Sequence, residues 1–303
     1  MKKRTTNNPR GRNKNVDEDR SKKSGFKTAG SFHKGSGKPG AKRGESKPFG
    51  DKPKRSGKSA PKRSMDGKIR LNRFLAQAGI CSRREADVLI ETGVVEVNKK
   101  IVTELGIRID PQVDVVHYGG EKIKVEGYQY VLLNKPKDFI TTSKDPQNRK
   151  TVMELISNAC IERIYPVGRL DRNTLGLLLF TNDGMLAEKL THPRNEINKT
   201  YQIEVDQTIQ GGHMKLMQEG VELDDGFAKV DSIDYADNGT NKSGAVITLH
   251  SGRNRIVRRI FEHFDYKVKK LDRIQFASLT KKGLQRGTWR HLTAEEVAFL
   301  KSM

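Results

Sequence analysis

The sequence predicts an α+β protein in which a small unit built on a helical hairpin precedes a larger domain around a mixed or antiparallel sheet, behind a disordered basic tail. Three observations carry this. Of 303 residues 58 are Lys or Arg and 37 are Asp or Glu, yet residues 1–65 alone hold 21 basic and 5 acidic side chains, so the excess of positive charge is concentrated at one end. Two helix signatures stand side by side from Ile69 onward. Beyond Tyr130, alternating polar and apolar segments are interspersed with fewer, irregularly placed helices, a pattern that favours a sheet covered unevenly over a doubly wound one.

Residues 1–66 form the tail. Val16 is the sole Ile, Leu or Val in residues 1–65, so the segment cannot bury enough apolar surface to offset the roughly 1–2 kcal/mol per residue that ordering a backbone costs. A flexible chain of that length spans about 45 Å on average. Its charge suits it to a polyanion, since bound phosphate releases counterions whatever the base sequence.

Residues 67–127 are the small unit. Leu71, Phe74, Leu75 and Ala78 share one helical face, and Gly79 ends that helix. Ser82 and Glu85 have the spacing of a capping box for a second helix, which Ala86, Leu89 and Ile90 continue and Gly93 stops. VVEVNKKIV reads as a hairpin around Asn98 and Lys99, and DVVHYGGEKIKV as further strand. Arg83 and Arg84 sit in the second helix's first turn, where free backbone N–H groups and the helix dipole favour an anion. The bland alternative is a solvated pair of charges.

Residues 128–303 are the large domain. YVLLNKP is a buried strand stopped by Pro136, followed by strands LGLLLFT, KTYQIEV, AKVDSIDYA, GAVITLH and the stretch from Val268 to Leu279. The helices are TVMELI, MLAEKL, the stretch around HMKLMQEG, NRIVRRIFEHF and TAEEVAFL, the last with Thr293 and Glu296 as a capping box.

Several functions are excluded by pattern. Cys81 and Cys160 are the only cysteines and stand far apart, which argues against a disulfide framework and a paired-Cys zinc site and for a reducing, cytoplasmic compartment. No apolar run approaches the ~18 residues of a membrane span, and no signal-peptide core follows the basic N-terminus. There is no Walker A loop, no G-x-G-x-x-G after a strand, no H-E-x-x-H and no deaminase zinc signature. Neither a metal nor a nucleotide cofactor is expected.

What stands out is YPVGRLDRNTLGLLLFTNDG, where a charged segment runs directly into an apolar strand. Asp171, at the mouth of that strand, is partly desolvated and needs partners. Alone it could be an ordinary turn residue. Beside it, however, KTY places an aromatic hydroxyl, Tyr201, at a strand start, and GRNRIVRRI puts a basic cluster, with Arg253 and Arg258, at the beginning of a helix.

The stretch IRLNRFLAQAGICSRREADVLIETGVVEVNKKIV resembles the S4-type RNA-binding domain, in which paired helices are laid against structured RNA; Arg83 and Arg84 would then contact it. From about Ile69 to Trp289 the chain closely resembles the RsuA/RluB type of ribosomal RNA pseudouridine synthase, on the strength of YVLLNKP, GRLD-x-x-T-x-GLLL-x-T-x-DG, THP and GRNR in the family's order. That resemblance implies a pseudouridine synthase fold and a cofactor-free isomerisation. It implies that Asp171 is the catalytic aspartate, that Arg169 enters the RNA as the target base leaves, and that Tyr201 lies against the uracil. Arg258 would pair with Asp171, and Leu271 would pack beneath it. Ile256 departs from the pattern, standing where members often carry Gln or Glu.

The chemistry so implied breaks the N1–C1′ bond of a uridine and joins C5 to C1′. Asp171 must be ionised to serve as nucleophile or as electrostatic partner of a sugar cation. A guanidinium at about 4 Å attracts it by roughly 4 kcal/mol at an effective dielectric near 20. Tyr201 offers either a stacking face or a hydroxyl for the C5 proton. The substrate nucleotide must leave its stack, with Arg169 filling the gap unless it forms a local salt bridge. Large-subunit (23S) rRNA is the expected partner of a monomer, with small-subunit (16S) rRNA the alternative substrate. The competing class is a non-catalytic RNA-binding ribosome-assembly factor, for which retention of Asp171, Tyr201 and Arg258 would be unneeded.

Overall fold

A computed structural model of the chain describes residues 67–303. The expected basic tail therefore lies outside the described residues. The first part of the described chain comprises β1 (Ile69–Arg70), α1 (Leu71–Gln77), α2 (Arg83–Glu91), β2 (Val95–Val97), β3 (Lys100–Ile101), β4 (Arg108–Ile109), β5 (Val116–Tyr118) and β6 (Glu121–Lys122). The capping box forms as expected: Glu85 N–H donates to Ser82 Oγ at 3.3 Å, and Ser82 N–H donates to Glu85 Oε2 at 2.7 Å. Asn98 and Lys99 both take positive φ, the geometry of a two-residue hairpin turn between β2 and β3. Leu71, Phe74, Leu75, Ala86, Ile90, Val95, Ile109 and Val116 bury one core between the two helices and the small sheet.

DVVHYGGEKIKV is a hairpin rather than a single strand, because Gly119 and Gly120 adopt positive φ and fold β6 back on β5. The two-residue pair β1–β4 was not anticipated; it is too short to leave a periodic signal.

The second part contains β7 (Tyr130–Lys135), β8 (Tyr165–Pro166), β9 (Leu175–Thr181), α3 (Gly184–Thr191), β10 (Lys199–Val205), α4 (Gly211–Glu219), β11 (Val221–Leu223), β12 (Gly226–Ala228), β13 (Ser232–Ala236), β14 (Asn241–Leu249), α5 (Ile256–Glu262), β15 (Val268–Phe276), β16 (Leu279–Thr280), β17 (Trp289–His291) and α6 (Ala294–Ser302). Its main sheet runs β13-β14-β10-β15-β9-β7-β17, with β8 on β9 and β16 on β15. The pairings are antiparallel except for β15 with β9. This is the mixed sheet expected of an α+β domain.

Every residue of β9 is buried, which explains why it reads as a continuous apolar run: apolar side chains cover both of its faces. One face is packed by α3 and α6, the other by the segment containing Val152, Ile156 and Ile164. A separate core, with α4 and α5, lies against β10, β13, β14 and β15. The two halves meet at the parallel seam, where Leu175 pairs with Asp272 and Gly176 with Arg273. Gly176 is required there. Its φ is +102°, and a Cβ would fall 2.2 Å from the Arg273 carbonyl oxygen.

Three expected elements differ. TVMELI forms only a 3-10 turn at Glu154–Ile156. AKVDSIDYA breaks at Val230, because Ala228 pairs back onto Val221 while β13 pairs with β14. The stretch from Val268 to Leu279 turns at Ala277, whose φ is positive, giving β15 and β16. Among the described residues no helix is long and apolar enough to cross a membrane.

Candidate active site

The loop 168–174 carries Asp171 to the seam just before β9, and it is held from beneath by one fully buried cation. Lys135, the last residue of β7, donates from Nζ to the carbonyls of Pro136, Asp171 and Arg172, each at 3.1 Å, and of Thr174 at 2.8 Å. Three of those four acceptors belong to the Asp171 loop. Burial pushes the Lys135 ammonium down to about 8, opposed by the charges of Asp171 and Asp138. The loop is fixed further where Thr141 Oγ1 donates to Leu170 O at 2.8 Å and Asp138 N–H donates to Arg172 O at 3.0 Å.

Asp171 keeps 37% of its side chain exposed, and Arg258 Nε lies 3.9 Å from its Oδ2. That is an ion pair, not a hydrogen bond. Arg258 is held by a 3.1 Å bond from Nη1 to Val268 O, while its buried Nε has no acceptor within hydrogen-bonding reach. Burial is the main influence lowering the pKa of Arg258, and Asp171 opposes it. Among the described residues the carboxylate thus has a charge partner without a hydrogen bond that occupies its oxygens, a condition that suits a group whose lone pairs must attack or receive charge.

A cavity of about 480 Å³ opens beside Asp171. Tyr201 on β10 and Leu271 and Arg273 on β15 line it, as do Arg169, Lys199 and Ile256. Tyr201 pairs across the sheet with Arg273, and Ile203 with Leu271, so these side chains share one face. Leu271 is buried and Tyr201 half-buried, giving an apolar floor and an aromatic wall. Arg169 is exposed at the rim. Its neighbour Arg172 pairs instead with Asp138 at 3.2 Å.

Of the sequence-predicted residues, Asp171, Tyr201, Leu271 and Arg169 line the cavity and Arg258 reaches it through Asp171. Arg253 also borders it, but its guanidinium is engaged elsewhere: Nη1 donates to Asp225 O, Asp225 Oδ1 and Gly226 O, and Nη2 donates to Phe227 O. It ties the turn between β11 and β12 to the loop before α5. Arg259 reinforces that tie through Asp224 and Asp225. Ile256, buried as the first residue of α5, joins the core of that half of the sheet. Arg83 and Arg84 are not in the cavity; both are exposed in the first turn of α2.

The sequence reading missed Lys135, Lys199 and Arg273. Lys199 had a signal, since it stands two residues before Tyr201 and so falls on the same strand face. Lys135 and Arg273 gave none, because their roles depend on carbonyls and strand register supplied by distant segments.

A family model described as RNA pseudouridylate synthase matches residues 129–263, and one described as S4 domain matches residues 69–115. The chain is 42% identical over 233 residues to a protein of Aquifex aeolicus (strain VF5) named uncharacterized RNA pseudouridine synthase, covering 77% of this chain and 93% of that one. It is 41% identical over 241 residues to the ribosomal large subunit pseudouridine synthase B of Bacillus subtilis (strain 168), covering 77% and 96%. A crystal structure of a pseudouridylate synthase superimposes with a TM-score of 0.55 at 25% identity, covering 77% of this chain and 99% of the other.

Proposed function

The chain belongs to the RNA pseudouridine synthase family and carries an S4 domain, and from that premise we propose that it isomerises a specific uridine of large-subunit ribosomal RNA, with Asp171 as the catalytic carboxylate. The observation that carries the reading is the Asp171–Arg258 ion pair at the edge of a cavity walled by Tyr201 and floored by Leu271. The large-subunit assignment is supported by the Bacillus relative, whose name specifies that subunit.

In this reading the target uridine turns out of its stack into the cavity, and Arg169 at the rim enters the space left behind. Asp171 attacks C1′ or stabilises the sugar cation as the N1–C1′ bond breaks. The uracil rotates against Tyr201, C5 bonds to C1′, and the C5 proton departs while N1 regains one. Arg258 sets its positive charge beside the carboxylate and helps to place it. We place the division between the RNA-binding part and the catalytic part near Gly127, with Arg83 and Arg84 contacting RNA phosphates from the former. Arg253 acts on RNA indirectly, by holding the loop that bears Arg255. The protein works as a monomer in the cytoplasm, where its substrate is made.

The test is to map pseudouridines in rRNA from cells lacking the protein and from cells complemented with the wild type or with Asp171→Asn. One large-subunit position is expected to lose its modification and to regain it only with the wild type, while the purified variant still binds the RNA. Restoration by Asp171→Asn would overturn the assignment of the carboxylate.

A further inference from the structure

Besides Arg169 at the rim, two cations that line the cavity have no carboxylate partner among the described residues. Arg273 is 3% exposed, donates from Nε to Leu177 O at 2.8 Å, and stacks its guanidinium 4.7 Å from the centre of the Phe276 ring. Its Nη2 is buried with no hydrogen-bond partner. Asp272, next in sequence, faces the other way and is taken by Lys281 and Arg286 at 2.7 and 2.8 Å. Lys199 donates from Nζ to Ile197 O at 2.7 Å and to His250 O at 2.6 Å, which leaves one of its three N–H bonds uncommitted. Among the described residues neither cation forms an ion pair with an acidic side chain. A desolvated guanidinium with an unused donor is costly unless an anion arrives to meet it.

The reaction proposed above generates an anion in this cavity. When the N1–C1′ bond breaks heterolytically the electron pair stays on N1, and the charge spreads through the ring onto the uracil carbonyl oxygens. It disappears when C5 bonds to C1′ and N1 takes up a proton, so the charge exists only between bond breaking and bond making. Arg258 sits behind Asp171 and does not line the cavity, so the charge that develops on the ring needs a donor of its own beside the base. Arg273 stands directly opposite Tyr201 in the sheet and two residues beyond Leu271, the two residues between which the base is placed. Resting on that reading of the reaction, we infer that Arg273, assisted by Lys199, is a catalytic residue that donates a hydrogen bond to the departing uracil and stabilises its negative charge. The interaction strengthens as the bond breaks, and this is the condition for accelerating chemistry rather than binding. A backbone phosphate is the weaker candidate, since phosphates remain at the rim, where Arg169 and Arg255 are exposed.

The experiment compares single-turnover cleavage of the glycosidic bond, at saturating full-length enzyme, in RNA carrying uridine or 5-fluorouridine at the target position. Fluorine withdraws electrons and makes the base a better anion, so it substitutes in part for an outside positive charge. Arg273→Gln is expected to slow the uridine substrate by roughly 10²–10³-fold, the range for loss of one preorganised donor at a developing anion. Its penalty on 5-fluorouridine should be at least tenfold smaller, with RNA affinity and its salt slope unchanged. Equal penalties on the two substrates would overturn the inference. So would a loss that appears as weaker, less salt-sensitive binding, which would make the pair a phosphate site. If Arg273→Gln does not fold, Lys199→Gln carries the same comparison, with the same pattern at smaller amplitude. A wild type inactive on uridine, or an active Asp171→Asn, would instead defeat the proposed function itself.

Discussion

A single buried ammonium decides where the Asp171 backbone sits. The three loop carbonyls that accept from Lys135 come from positions 171, 172 and 174, so the cation works as a peg under the turn. Lys135→Met keeps much of the volume and removes every donor. Leaving buried acceptors unsatisfied costs about 1–3 kcal/mol each, while removing a desolvated charge gives some of that back. The expected result is a net loss of about 3 kcal/mol in denaturant unfolding, with single-turnover chemistry reduced more than tenfold and RNA affinity close to wild type. An unchanged rate in a destabilised variant would show that the peg serves the fold alone. At this scale the sequence drew attention to Asp171 and Tyr201 by residue type beside a motif and to Leu271 through the family resemblance, and the fold brings all three to one cavity. It was silent for Lys135 and Arg273, and it gave no sign that the Arg253 guanidinium is held by the turn between β11 and β12, because the partners of a long cation are set by the carbonyls that three-dimensional proximity brings to it.

At the scale of elements, the seam between β9 and β15 joins the half-sheet bearing Asp171 to the half-sheet bearing Tyr201 and Leu271. Its closeness depends on Gly176, whose missing side chain admits the Arg273 backbone and whose φ of +102° suits glycine alone. Gly176→Ala must therefore either push the strands apart or distort the strand that follows the catalytic loop. A loss of about 3 kcal/mol is expected from strain and overpacking together, read as a lower Tm, and activity should fall even below that Tm because the two walls of the cavity no longer meet correctly. Full activity in a folded Gly176→Ala protein would show that the seam tolerates separation. The apolar run of β9 was readable because burial on both faces leaves its mark on every residue. The break within 228–236 did leave a mark, since the apolar positions shift from 228 and 230 to 233 and 235 across the polar pair Asp231 and Ser232, but only the competing partners β11 and β14 show what each side pairs with. TVMELI has the composition of a helix but is too short to propagate one, so neighbouring contacts hold it as a single turn.

Over the whole molecule the charge is divided between two tasks. Residues 1–65 carry 21 of the 58 basic side chains and 5 of the 37 acidic ones, whereas the remaining 238 residues hold the two signs in near balance. Asp171, Tyr201 and Arg258, to which the proposed chemistry is assigned, lie in that balanced part. If the proposed function holds, this division of charge assigns attraction to RNA at a distance chiefly to the N-terminal segment, and selection of the target to the S4 domain and the rim of the cavity. Each phosphate contact contributes about −0.7 to −0.9 to the slope of log affinity against log salt. Deletion of residues 1–65 should accordingly weaken RNA binding at low salt, flatten that slope by several such increments, and bring the affinities of full-length and truncated proteins together as salt is raised. The single-turnover rate at saturating truncated enzyme should remain within about twofold of wild type, because every group assigned to the uridine in the proposed reaction is retained and interactions made equally with substrate and transition state do not accelerate the chemical step. A collapse of that rate would mean that the basic segment shapes the catalytic complex as well as gathering the RNA to it, and the separation of the two tasks would have to be given up.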